Sequence, residues 1–90
     1  MKAVRSYEVR PTNGQKSFYG KAVVTLYEDG SEVLKSYNTN VLMHDGTGKW
    51  YRLWSGCSAT TCKHIKAWCN ITPQEYKAMT VTPEAIGERA

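Results

Sequence analysis

The hydrophobic periodicity of this chain changes once, near Gly56, and that change limits the folds it can adopt. Before Gly56, apolar and polar residues alternate in short runs, a pattern typical of strands with one buried face. After Gly56 the apolar spacing becomes about 3.6 residues, the period of an α-helix. Ninety residues supply one core and are too few for two. The sequence therefore predicts one α+β domain, with an antiparallel sheet followed by helices.

The predicted sheet contains about five strands. Alternation is found in four segments, residues 3–9, 18–27, 32–37 and 49–55, and a short apolar run at 41–43 supplies the fifth strand. Asn13-Gly14 and Asp29-Gly30 are turn signals, since Asn, Asp and Gly tolerate a positive φ, and residues 44–48 form a third turn segment. The pattern indicates an N-terminal strand followed by two hairpins.

A short helix is predicted to cross the sheet, with Thr60 or Thr61 as its N-cap and Asn70 at its end. At about 100° per residue, one face of this helix covers the sheet and the other points to solvent. The first face contains Thr61, Ile65, Trp68 and Cys69, and the second contains Lys63, Lys66 and Ala67.

A second short helix is predicted after Thr72. Thr72 is its N-cap, Pro73 its first residue and Glu75 its capping-box partner. Tyr76 and Met79 are its apolar pair. Residues 1–79 are thus expected to form the domain. Residues 80–90 have few apolar side chains to bury, and we expect them to form a C-terminal tail that can be flexible.

Four potential zinc ligands lie within thirteen residues: Cys57, Cys62, His64 and Cys69. On a helix the side chains of Cys62 and His64 diverge by about 200°, so they cannot share a metal or act as a nucleophile and base. An odd number of cysteines without a secretion signal predicts free thiols. His64 is expected to be structural, bonded to a capping hydroxyl or a sheet carbonyl. We expect no metal, no cofactor and no enzymatic activity.

The net charge of +4 is sufficient for contact with polyanions but weak for a dedicated nucleic-acid binder. Trp50, Arg52 and Trp54 share one sheet face, where they could either stack on single-stranded nucleic acid or fill the core. The exposed basic residues Lys21, Lys63 and Lys66 complete the set of candidate binding residues.

Two stretches, residues 34–41 and 58–68, resemble a family of small proteins of unknown function from bacteriophages and mobile elements. The shared motifs are Ser-Tyr-x-Thr-x-Val and Thr-Thr-x-x-His-Ile-x-x-aromatic. The motif residues are Tyr37, Thr39, Thr60, Thr61, His64, Ile65 and Trp68. Cys69 departs from the larger aliphatic residue usual in the family. The resemblance implies an accessory protein acting in the cytoplasm of a bacterial host, and it supplies no catalytic residues.

The expected function is stoichiometric binding that modulates or inhibits a host protein, with CRISPR-type defence components among the targets. The alternative is a small basic accessory protein that binds nucleic acid. No membrane partner is expected, because no apolar run approaches the length of about 18 residues that spans a bilayer. The sequence does not determine the oligomeric state.

Overall fold

The computed structural model describes residues 2–11 and 20–89. The strands are β1 (Ala3–Glu8), β2 (Ala22–Tyr27), β3 (Glu32–Ser36), β4 (Thr39–His44) and β5 (Trp50–Arg52). They precede α1 (Ala59–Cys69), α2 (Pro73–Ala78) and a 3₁₀ helix (Pro83–Arg89) with a kink at Gly87. The strands form one antiparallel sheet in the order β1-β2-β3-β4-β5. The predicted α+β class and five-stranded sheet are confirmed.

Both predicted hairpins are present. The turn between β2 and β3 places Gly30 at φ 86°, and the turn between β4 and β5 places Gly48 at φ 92°. The turn between β3 and β4 is tighter, and there Tyr37 adopts φ 57°. The predicted turn at Asn13-Gly14 and the first two residues of the predicted second strand lie outside the described residues.

The main core lies between the sheet and the two α-helices. Paired positions of adjacent strands share a face, and one such row across the sheet consists of Tyr7, Val24, Leu34, Leu42 and Arg52. Ile65 of α1 and Tyr76 of α2 join Val24, Leu34 and Leu42 in a buried cluster. Both helices therefore cover the same face of the sheet.

The opposite face carries a second, smaller cluster. Val33 and Met43 are buried there, and Ala85 and Ile86 of the 3₁₀ helix pack against them. The backbone N–H of Thr82 also donates to the carbonyl of Arg52 at 2.7 Å. Thr82, Ala85 and Ile86, which belong to the segment 80–90 predicted as a tail, thus contact the sheet, while the flexibility of that segment and the boundary at residue 79 stay predictions.

The start of α1 differs from the prediction. Ser58 is the N-cap: its backbone is extended, and its Oγ accepts from the Thr61 N–H at 3.1 Å. Thr60 and Thr61 lie inside the first turn, so the assignment of either as the cap was wrong. The hydroxyl of Thr61 is instead buried beside Ser36 Oγ, at 3.0 Å.

The end of α1 and the start of α2 agree with the prediction. Asn70 closes α1 in the left-handed conformation, with φ 63°. Thr72 Oγ1 accepts from the Glu75 N–H at 3.2 Å, and Glu75 Oε1 accepts from the Thr72 N–H at 3.0 Å. This reciprocal pair is the predicted capping box, and it starts α2 soon after α1 ends.

The buried stripe of α1 is wider than predicted. Ile65 is buried while Lys63 and Lys66 are exposed, as the helical phase required. Cys62 and His64 are buried as well. Ala67, predicted to point to solvent, is half-buried against the edge of the main core. This width follows from packing on the sheet at one side of α1 and beside α2 on the other.

The phase of α1 gives a stability prediction. Ile65→Ala should lower the free energy of unfolding by about 2–4 kcal/mol, because it opens a cavity in the main core. Lys63→Ala and Lys66→Ala should each cost less than about 0.5 kcal/mol. Urea unfolding followed by circular dichroism measures all three, and larger losses for the lysine variants would contradict the assigned face.

Candidate functional site

Arg52, a candidate binding residue, is buried and serves the fold. Only 6% of its surface is exposed, and its guanidinium lies 4.4 Å from the centre of the Tyr76 ring. All three guanidinium nitrogens donate to backbone carbonyls at 2.9–3.2 Å, those of Trp54, Ser55, Gly56 and Lys77. Arg52 thereby fastens the segment after β5 to α2, and it does not belong to an exposed basic surface.

The two tryptophans placed with Arg52 also pack inward. Trp50 and Trp54 are half-buried against the main core. Trp50 meets the Trp68 ring edge-on, with ring centres 5.3 Å apart. The Trp54 indole lies so close to Gly56 that a side chain at Gly56 would collide with it. The aromatic and basic face expected from the alternation is therefore mainly an internal surface.

The two motif stretches of the sequence meet in a buried polar cluster. Ser36 Oγ lies 2.8 Å from His64 Nδ1 and 3.0 Å from Thr61 Oγ1. Burial lowers the pKa of His64. The prediction named a capping hydroxyl or a sheet carbonyl as a partner of His64; one partner in the structure is the hydroxyl of the strand residue Ser36. This cluster links α1 to β3.

Beside that cluster, the turn between β3 and β4 is exposed. Tyr37 is 52% exposed, with its ring centre 5.8 Å from that of His64. Lys21 Nζ lies 5.9 Å from the centre of the same Tyr37 ring, and Thr39 is also exposed. These residues form a small cation–π contact at the surface.

A second polar network joins four elements and could not be found from spacing. The Tyr7 hydroxyl donates to Glu32 Oε2, while His44 Nε2 contacts Glu32 Oε1, both at 2.8 Å. Trp68 Nε1 donates to the Tyr7 hydroxyl at 3.2 Å. Burial and the bond to Glu32 raise the pKa of Tyr7. These bonds give hydrogen-bond partners to the polar side chains beneath the C-terminal half of α1.

One cleft with room for a ligand lies between α1 and α2 and is here named the thiol cleft; another, of about 400 Å³, is lined by residues that include Lys49, Trp50 and Met79. The volume of the thiol cleft is about 450 Å³. The described residues that line it are Cys57, Ala59, Cys62, Lys63, Lys66, Pro73 and Lys77. Three of these residues are lysines and none is acidic, so the cleft attracts anionic groups. It includes the predicted candidates Lys63 and Lys66, but not Lys21.

The two cysteines of the thiol cleft touch each other. Cys57 immediately precedes the N-cap Ser58, and Cys62 lies four residues after Ser58. Side chains at these two positions pack together in a hydrophobic staple. Their Sγ atoms are 2.7 Å apart. Burial, followed by the hydrogen bond to Cys57, raises the pKa of Cys62 to about 11. Cys62 is therefore a protonated thiol at neutral pH and can donate to Cys57.

Sequence reasoning missed this pairing because it placed the cap at Thr60 or Thr61. With Ser58 as the cap, the staple positions alone would have paired Cys57 with Cys62. The Cys62 sulfur faces Cys57 and the His64 ring faces Ser36, which agrees with the predicted divergence of the two side chains. Among residues 2–11 and 20–89, no three His, Cys, Asp or Glu side chains are grouped to hold a metal.

A protein-family model, that of DUF8033, matches residues 7–82 of the 90. The chain belongs to DUF8033, a family of unknown function. No curated protein and no solved structure shows significant similarity to it. The DUF8033 match includes both motif stretches and every residue of the thiol cleft. None of the helices described in this DUF8033 protein is long and apolar enough to cross a membrane.

Proposed function

We propose that this DUF8033 protein is a non-enzymatic accessory protein of a phage or mobile element. It binds a host protein in the bacterial cytoplasm and modulates or inhibits it, with CRISPR-type defence components among the candidate targets. The thiol cleft is its binding site. The observation that carries this proposal is the convergence of Lys63, Lys66 and Lys77, from two helices, around one cleft.

The chemistry of the thiol cleft suits an acidic segment of a protein. Ala59, Pro73 and the two cysteines supply apolar contact area, and the lysines surround it with positive charge. A partner that inserts an apolar side chain and places carboxylates beside it would use both features. Buried anchors then provide most of the affinity, while the lysines provide orientation and a fast association rate.

The placement of the aromatic residues favours a protein partner over nucleic acid. Binding of single strands relies on exposed aromatic rings on which bases stack, next to cations that contact phosphates. Trp50 and Trp54 pack against the core, and Arg52 is held by backbone carbonyls. The lysines of the thiol cleft therefore lack the stacking platform that the alternative function requires.

A comparison of bait variants tests the proposed function. Three affinity-tagged baits are incubated with nuclease-treated lysate of a bacterial host: wild type, Lys63→Glu/Lys66→Glu and the matched control Lys35→Glu/Lys49→Glu. Lys35 and Lys49 are exposed and lie outside the thiol cleft. We expect the same host protein on wild type and control and its loss from the cleft variant. Calorimetry with that purified protein should show at least about a tenfold weaker Kd for the cleft variant.

Equal recovery of the partner on the cleft variant and the control would contradict the proposed site. Loss of the partner from all baits after nuclease treatment would contradict a protein target, because the contact would then run through nucleic acid. Far-UV circular dichroism of each bait establishes that charge reversal at these exposed positions leaves the fold intact.

A further inference from the structure

We infer that Cys57 and Cys62 are a redox-active dithiol, which closes to an intramolecular disulfide by exchange with small anionic disulfides such as glutathione disulfide. Three observations carry this inference: the contact between the two sulfurs, the difference in their exposure, and the lysines around them. It does not depend on the proposed protein partner.

The sulfur contact is built by the start of α1. The N-cap at Ser58 fixes the chain that carries Cys57, and the first helical turn fixes Cys62. The Sγ atoms, 2.7 Å apart, need to approach by only about 0.7 Å to reach the length of a disulfide bond. Bond formation therefore requires little movement of the backbone.

The two thiols differ in access. Both cysteines line the thiol cleft, but Cys57 is half-buried whereas Cys62 is only 8% exposed. A reagent entering the cleft therefore meets Cys57 first, and Cys62 is placed to resolve the product. Cys69, the third thiol, lies at the other end of α1, where it donates to the Ile65 carbonyl at 3.3 Å.

The exchange balances in two steps. Cys57 gives up its proton to solvent and attacks one sulfur of the small disulfide, which breaks the bond between its sulfurs, forms a mixed disulfide and releases one thiolate. Cys62 gives up its proton to solvent, attacks the Cys57 sulfur and expels the second small thiolate, and each released thiolate takes up a proton. Two protein thiols lose two electrons, and one small disulfide is reduced to two thiols.

The charge around the cleft selects the oxidant. Lys63, Lys66 and Lys77 line it, and none of the described lining residues is acidic. Glutathione disulfide carries carboxylates at neutral pH, so the lysines raise its local concentration. A cationic disulfide such as cystamine is disfavoured by the same positive charge.

Mass spectrometry tests the pairing. The reduced full chain is treated with glutathione disulfide, quenched in acid, alkylated and digested. We expect a disulfide joining Cys57 to Cys62, with Cys69 alkylated, in both wild type and the control Cys69→Ser. Cys62→Ser should instead accumulate glutathione on Cys57. A disulfide that includes Cys69 in wild type, or alkylation of both Cys57 and Cys62 after prolonged treatment, would overturn the inference.

The rate of closure tests the choice of oxidant. The ratio of the rate with glutathione disulfide to the rate with cystamine is compared between wild type, Lys66→Gln/Lys77→Gln and the control Lys35→Gln. Removal of each cleft lysine should lower this ratio by about two- to threefold, while the control leaves the ratio unchanged. An unchanged ratio in the cleft variant would overturn the assignment of anionic disulfides. Neither assay contains a protein partner. A negative result in either assay would therefore overturn the dithiol inference without bearing on the proposed function.

Discussion

Tyr76→Ala is expected to lower the free energy of unfolding by about 3–5 kcal/mol, enough to unfold much of a domain of this size at 25 °C. Tyr76 is fully buried in the main core. Its hydroxyl donates to the carbonyl of Val41 at 2.9 Å and to that of Trp54 at 3.1 Å. The substitution therefore opens a cavity and removes one of the two donors to each carbonyl, leaving the Leu53 N–H on Val41 and Arg52 Nε on Trp54.

Tyr76→Phe is the matched control, because it keeps the ring and removes only the hydroxyl. We expect it to cost about 1–2 kcal/mol. Urea unfolding followed by tryptophan fluorescence measures both variants. If Tyr76→Ala cost less than about 1 kcal/mol, α2 would not be docked on the sheet as described, and the wall of the thiol cleft that it provides would be misplaced.

Arg52→Met is expected to cost about 3–5 kcal/mol, although an exposed arginine would tolerate it. Methionine replaces the volume of the stem but donates to none of the four carbonyls that Arg52 contacts. Arg52→Lys keeps the charge yet cannot reproduce the planar fork of donors, so we expect it to be destabilising as well, by about 2 kcal/mol.

The Arg52 variants separate a structural role from a ligand-binding role. Denaturant midpoints should fall for both substitutions, while Lys35→Met, a control at an exposed position of β3, should change stability by less than about 0.5 kcal/mol. Wild-type stability for Arg52→Met would contradict the buried bonding and return Arg52 to the set of surface cations.

The features predicted well from the sequence have local signals. The two hairpins follow from alternation on either side of the Asp29 and Asp45 turns, and α2 follows from its capping box at Thr72. In each case the residues that decide the structure are within a few positions of one another. Short-range hydrogen bonds and φ preferences then suffice for the prediction.

The features that were missed depend on contacts between distant segments. Three hydroxyl residues are suited to cap α1: Ser58, Thr60 and Thr61. In the structure Ser58 is the N-cap, and the Thr61 hydroxyl bonds to Ser36 of the distant strand β3. Alternation placed Arg52 on the correct face of the sheet, but carbonyls from the following segment and from α2 enclose it. The thiol cleft likewise requires α2 to pack beside α1.

A salt titration with nucleic acid distinguishes the proposed protein partner of this DUF8033 protein from a nucleic-acid partner. Fluorescence anisotropy measures binding of labelled random-sequence single-stranded DNA and RNA between 50 and 200 mM salt. We predict no saturable binding below about 100 µM protein near 150 mM salt, because both tryptophans pack against the main core and backbone carbonyls hold the Arg52 guanidinium. Micromolar binding, with log K falling against log salt at a slope of about −2 to −3 that flattens in Lys63→Glu/Lys66→Glu, would contradict the proposed protein partner.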